Sequence, residues 1–295
     1  MADVALGFDD ALSGRPVRSP WRLAWDRFRA HRAACVSGIF LLVVVGLAIF
    51  APLISRHPPN FIGFDPVVGP SWEHWMGTDH LGRDVWSRVL YGARLSLLVG
   101  FGSQALAVVI GVLIGMTAGY VGSWLDALLM RLTDVMQALP GILLAMLFLT
   151  VLGSSTRSLI LAIGLATWPV IARVIRAQVL QARRLQYVEA AAAIGCSSLR
   201  IVTVHIFRNV LGPIIVLATF GIPAAIFTEA LLSYIGLGPP PPSSSWGRII
   251  SDAFPYLEVS THYLLFPALA LSLTLLAFNF LGDGLRDAFD PHRAE

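Results

Sequence analysis

Residues 33–54 read AACVSGIFLLVVVGLAIFAPLI, a stretch without a charged side chain and with a single hydroxyl. About 20 such residues in a helix rise about 30 Å, the thickness of a bilayer's hydrocarbon layer. A helix apolar on every face has no stable place against water unless other helices or lipid enclose it. The stretch therefore reads as a membrane span, and the rest of the chain repeats the pattern. Comparable runs fall at about Leu95–Tyr120, Gln137–Leu152, Ser158–Val179, Val210–Ile235 and Tyr263–Leu281. The third is short unless it is extended backwards through Leu125–Met136. The expectation is an all-α membrane protein with six transmembrane helices occupying residues 33–286.

Composition agrees. Hydrophobic residues make up 56% of the 295 residues, charged residues 13%, and mean hydropathy is +0.72. A soluble domain carries roughly 25% charge, so much of this surface faces lipid. Every basic residue is arginine; lysine is absent. A P-loop needs a lysine to reach nucleotide phosphates, so any ATP and Mg would be bound by partner subunits, and no cofactor is expected in this chain. Cys35 and Cys196 offer no disulfide framework or zinc spacing. Residues 1–20 have no apolar signal core before a cleavage site.

Six spans put both ends on one side, and arginine chooses the side. Arg15, Arg18, Arg22, Arg27, Arg29, Arg32, Arg131, Arg173, Arg176, Arg183, Arg184, Arg200, Arg208, Arg286 and Arg293 fall on one side. Arg56, Arg83, Arg88, Arg94, Arg157 and Arg248 fall on the other. The positive-inside rule makes both termini cytoplasmic. The net charge of +3 thus marks span ends rather than a nucleic-acid surface. Residues 1–32 read as a cytoplasmic tail ending in an interfacial helix. That helix starts at Ser19-Pro20 and carries Trp21, Trp25 and Phe28 among arginines. Outer loops are expected at 56–91 and 236–261, and a cytoplasmic tail at 287–295.

Within the spans, Ser103, Ala107, Gly111, Gly115 and Gly119 recur every four residues, a stripe that lets helix backbones approach closely. Pro140, Pro169, Pro213, Pro223 and Pro267 lie in or beside spans, where they can kink them. Glu229 is the one acid deep in a span, a possible pathway residue or a bonding partner for a neighbouring helix. Asp126, Arg131 and Asp134 near the third span can neutralise one another. His74, Asp79, His80 and Asp84 in the first outer loop imitate a metal site, but no spacing supports one, and no metal is expected. No histidine lies in a span and no chain of acids threads the bundle, against a proton-coupled carrier. Neither H-E-x-x-H nor G-x-S-x-G occurs, so a hydrolase has no visible chemistry.

The cytoplasmic loop 181–209 reads QARRLQYVEAAAAIGCSSLRIVTVHIFRN. Two short helices fit it, one over Tyr187–Ile194 and one from about Ser198, with Gly195 as the break. Ala190–Ala193 make a smooth knob that buries nothing by itself, as a contact for a soluble partner would; on these residues alone an ordinary helical hairpin is the other reading.

Glu189-Ala190-Ala191, three residues, then Gly195 resembles the EAA loop of ABC importer permeases, E-A-A-x3-G-x9-I-x-L-P. The second half departs from that pattern, with His205, Phe207 and Arg208 at the Ile, Leu and Pro positions. MGTDHLGRDVWSRVLYGARLSL (Met76–Leu97) and EALLSYIGLGPPPPSSSWGRII (Glu229–Ile250) are similar to signatures of the "C-type" subunit in the dipeptide, oligopeptide and nickel branch. SPWRLAWDRFRAHR and the first span resemble its amino-terminal region. The resemblance implies a type I importer fold, a five-helix core plus an amino-terminal helix, in the bacterial cytoplasmic membrane. It implies a second, unlike permease subunit, two ATPase subunits and an extracytoplasmic substrate-binding protein as partners. It assigns ATPase coupling to Glu189, Ala190, Ala191 and Gly195, with the residues around them, Tyr187 to Arg200, forming the rest of the contact. Short peptides are the implied cargo; nickel chelates, haem, glutathione or sugars are the alternatives within the class. A stand-alone carrier or a scaffold subunit would be the readings outside it.

Overall fold

The described residues of the computed structural model are 20–289. Residues 1–19 and 290–295 lie outside them, with Arg15, Arg18, Ser19, Arg293 and most of both expected tails, as do the side chains of Pro20 and Trp21. No strand occurs among the described residues. The helices are α1 (Pro20–Ala30), α2 (Arg32–Ile49), α3 (Val85–Val121), α4 (Ser123–Gln137), α5 (Gly141–Leu152), α6 (Thr156–Ala182), α7 (Gln186–Ala193), α8 (Phe207–Tyr234), α9 (Trp246–Ala253) and α10 (Thr261–Phe289).

Local chemistry sets several boundaries. Asp84 caps α3, its Oδ2 accepting the Ser87 amide at 2.8 Å. Ser155 caps α6 and Ser245 caps α9 in the same way. The first span bends after Ile49 into a short turn, Ala51–Ile54. The outer loop ends earlier than expected, because α3 starts at Val85 and adds more than two turns before Leu95.

Five helices are long and apolar enough to cross a membrane: α2, α3, α6, the run Ser198–Tyr234 that contains α8, and α10. The third expected span is different. The backward extension is helical, but α4 meets α5 at a bend of 87°, at the break before Pro140, whose ring cannot continue α4. One straight third span is therefore replaced by two short helices, of 15 and 12 residues.

Packing register shows that this bent pair still carries the chain across. Gly111 lies against Trp168 and Ile171, Gly115 against Ala172 and Ile175, and Gly119 against Arg176 and Val179. Positions rise together, so α3 and α6 run parallel, and Arg183 after α6 donates to the Tyr120 carbonyl near the end of α3 at 3.1 Å. Parallel neighbours need a crossing between them, which only α4 and α5 can supply. By contrast α8 runs antiparallel to α3: Ser96 bonds Glu229, Gln104 bonds the Leu217 carbonyl. Helix α10 ends beside the start of α8, where Phe289 meets Gly212, and beside the start of α2, where Gly284 meets Ala34. Both described ends and the loop between α6 and α8 thus share one side of the bundle.

The acids on α4 do not pair with Arg131. Asp126 takes a two-pronged bond from Arg176 (Nε and Nη2, both 2.6 Å), and Asp134 accepts from Arg173 at 2.8 Å. A helix lying beside the C-terminal half of α6 puts its acids within reach of that helix's arginines, which stand three residues apart. This tether holds the bent helix to the bundle.

Candidate functional site

The loop joining α6 to α8 is built as a rigid projection. Helix α7 ends on a doubly bonded cap: the Gly195 amide donates to Ala192 at 3.0 Å and the Cys196 amide to Ala191 at 3.0 Å. This closure needs a left-handed residue, and Gly195 has φ +82° with open space around its α-carbon. The Ser197 hydroxyl then accepts the Arg200 amide at 3.4 Å and starts a second helical turn, Ser198–Arg200. Residues Ile201–Ile206 widen into a π-helical turn that runs into α8. The second helix exists despite His205, Phe207 and Arg208, but as this composite. His205 faces the Tyr187 ring at 6.3 Å between centroids, linking the loop's two arms.

Burial divides the loop into a root and a tip. Val188, Ala191, Ile201 and Ile206 are buried with Val179, Ala182 and Val210 of the flanking helices. Ala191 therefore anchors the loop rather than standing on its contact face, a correction to the smooth alanine knob. Glu189, Ala190, Ala192, Ala193, Gly195, Tyr187 and Arg200 are exposed. With them stand Ile194, 82% exposed, and Leu199, 74% exposed. These two sit at the tip, inside the expected contact range Tyr187 to Arg200, although the alanine motif did not single them out. Their signal in the sequence is a large aliphatic residue on each side of a helix-breaking glycine, in a loop that must face water.

Beside the loop lies a cavity of about 1260 Å³. Its walls are the C-terminal third of α3 (Val112, Met116, Tyr120) and the loop's second arm (Val202, Phe207), and Arg183 and Glu189 also line it. Glu229 is elsewhere. It is 0% exposed, and its two oxygens accept from Ser96 at 2.8 Å and Ser233 at 2.7 Å. Ser96 in turn accepts the Trp246 amide at 3.4 Å. The carboxylate thus ties α3, α8 and α9 together, enclosed by protein rather than facing an open passage.

The residues of the first outer loop that imitated a metal site are already engaged. Asp79 accepts from Arg83 and from buried Arg88, each at 2.6 Å, and Arg88 also donates to Asp252 of α9 at 3.1 Å. His74 pairs with Asp84 at 3.0 Å. His80 stacks on Tyr256; burial lowers its pKa, against the opposing pull of the Asp79 and Asp252 carboxylates. No group of three or more metal-ligating side chains occurs among the described residues.

Residues 111–295 match the family described as "Binding-protein-dependent transport system inner membrane component", and residues 19–67 match the "N-terminal TM domain of oligopeptide transport permease C". The chain is 39% identical over 282 residues to the glutathione transport system permease protein GsiD of Pectobacterium atrosepticum, covering 95% of this chain and 94% of that one. It is 41% identical to the dipeptide permease DppC of Alkalihalophilus pseudofirmus and 41% identical to the oligopeptide permease OppC of Bacillus subtilis. Each of these matches covers 92% of this chain and 90% of the relative. Among solved structures, the inward-facing MetNI methionine ABC transporter matches with a TM-score of 0.51 at 19% identity. That match covers 70% of this chain and 94% of the other. With a helical bundle, six crossings and a match along almost its whole length, the chain belongs to the binding-protein-dependent inner membrane components, the permease subunits of ABC importers, and has their type I fold.

Proposed function

We propose that this permease is one of two unlike membrane subunits that import short peptides into the cytoplasm, driven by two separate ATPase subunits docked on the α7 loop. The exposed tip on a buried root carries this reading. An isoleucine and a leucine held in water by a capped, rigid hairpin form a surface that is stabilised only when something covers it. Arginine distribution puts this side in the cytoplasm, where nucleotide is. Relatives named for dipeptides, oligopeptides and glutathione, itself a tripeptide, support a short peptide as cargo.

The mechanism is mechanical. ATP closes the two ATPase subunits, and their motion pulls the docked hairpins together. Because the root is packed against α6 and α8, the pull tilts those helices instead of bending the loop. The bundle alternates between inward-open and outward-open, receiving cargo from an extracytoplasmic binding protein. The apolar cavity beside the loop is this chain's candidate share of the passage. No bond is made or broken here; ATP and Mg belong to the partners.

The test is co-expression with the neighbouring permease, ATPase and binding-protein subunits, reconstitution, and measurement of peptide-stimulated ATP hydrolysis and uptake. Glu189→Lys and Gly195→Asp are expected to abolish uptake while the chain still inserts. Unchanged uptake in both variants would remove the coupling assignment. Stimulation by a sugar, haem or a nickel chelate, but by no di- or tripeptide, would overturn the cargo and leave the coupling intact.

A further inference from the structure

Helix α1 is fixed against the ends of two spans. Its last residue is Ala30, and Arg32 opens the first span after a break at His31. Its inner face rests on the last span: Ala24 is buried, and the Phe28 ring lies beside Gly284 of α10, 3.6 Å from where a β-carbon would stand. Helix α1 is thus held beside the start of α2 and the end of α10.

The opposite face has no helix packed on it among the described residues. Arg22, Trp25 and Arg29 follow one another at steps of three and four, one stripe on a helix, and Arg32 continues the positive charge beyond the break. All four are exposed, Trp25 by 58%, with its ring stacked on Phe28 at 5.9 Å. None of the three arginines has an ion-pair partner among the described residues. Asp26 is the one acid on α1 and lies at the edge of the stripe, so the face stays net positive. Tryptophan favours the headgroup layer. Guanidinium groups pair with phosphate oxygens through two parallel bonds. The cytoplasmic leaflet is the anionic one.

We propose that the Arg22–Trp25–Arg29–Arg32 face is a binding site for the phosphate groups of anionic phospholipids, which hold α1, and through Gly284 the end of α10, to the inner leaflet. The proposal rests on the cytoplasmic placement of α1 given above. A ligand of this class neutralises the stripe where neither water nor zwitterionic lipid can.

Native mass spectrometry of the purified full chain, titrated with phosphatidylglycerol or phosphatidylcholine, reads the site directly. One arginine at an anionic surface contributes about fivefold in affinity, and three roughly a hundredfold. The triple variant Arg22→Gln/Arg29→Gln/Arg32→Gln is expected to lose phosphatidylglycerol binding by about that factor. Phosphatidylcholine binding should be unchanged, and Arg22→Lys/Arg29→Lys/Arg32→Lys should restore part of the loss, keeping the charge without the two-pronged bond. Arg208→Gln, exposed on another element, should bind as the parent does. Unchanged phosphatidylglycerol affinity in the triple variant overturns the proposal, as does equal parent affinity for both lipids or displacement by millimolar inorganic phosphate. Retained lipid binding together with loss of a partner subunit would reassign the stripe to a protein contact. Because binding in micelles does not depend on sidedness, a chain inserted the other way round would keep its lipid affinity and fail only an orientation test.

Discussion

A single carboxylate shows how this fold handles polarity inside a membrane. Glu229 is the only acid deep in a long span, and an acid there is expensive unless every oxygen is bonded. Two serine hydroxyls supply those bonds, one from the next turn of its own helix and one from α3. Sequence reading singled Glu229 out correctly as unusual but could not see Ser96, which is 133 positions away in the chain. Of the two readings open to it, a lining for the passage or a bond to a neighbouring helix, the bonds to Ser96 and Ser233 favour the second, a clamp. Replacing Glu229 with alanine removes the shared acceptor and opens a void between α3 and α8. The expected loss is about 2–4 kcal/mol, visible as a lowered unfolding temperature in detergent. Glutamine keeps the volume and one acceptor, so its loss should be roughly 1 kcal/mol. An alanine variant as stable as the parent would remove the clamp.

Among the elements, α3 and α6 form the tightest pair, and the reason is readable from one helix alone. Five small residues at steps of four announce that some helix lies along that stripe. They cannot say which one, nor that it runs parallel, because a small residue is equally receptive to any ridge. The structure supplies the partner: a β-carbon on Gly115 would stand 2.5 Å from the Ala172 carbonyl oxygen and 2.9 Å from the Ile175 β-carbon. Gly46 of α2 has nothing within 4 Å of that position. The same change should therefore act in opposite directions. Gly115→Ala forces two backbones apart and should destabilise by about 1–3 kcal/mol. Gly46→Ala should be neutral or slightly stabilising, since alanine loses less backbone freedom. Thermal unfolding of the two variants in one detergent decides it, and equal effects would deny the seam its special role. The α4–α5 elbow was less legible. Its apolar content matched a span, and only Pro140 hinted at a break whose angle depends on tethers to Arg173 and Arg176.

For the whole molecule, crossing number and sidedness follow from different physics. Parallel packing of α3 and α6 requires the bent pair between them to cross, which gives an even number of spans and brings both described ends to the side of the α7 loop. Nothing in that geometry says which side is the cytoplasm; the proposed sidedness comes from arginine placement alone. The two arguments meet at Cys196, which follows Gly195 in the loop and is partly exposed, and at Ser243 in the outer loop before α9, which is exposed. With Cys35 replaced by serine, Cys196 becomes the single thiol. It should react with a membrane-impermeant maleimide in inside-out vesicles and stay unlabelled in intact cells. The variant Cys35→Ser/Cys196→Ser/Ser243→Cys should give the reverse pattern. Labelling of both positions from the same side would mean that α8 does not span, contradicting the register with α3. A clean exchange of the two patterns would keep the bundle and invert it. The α7 tip would then face away from any source of ATP, and the coupling role would fall while the fold stood.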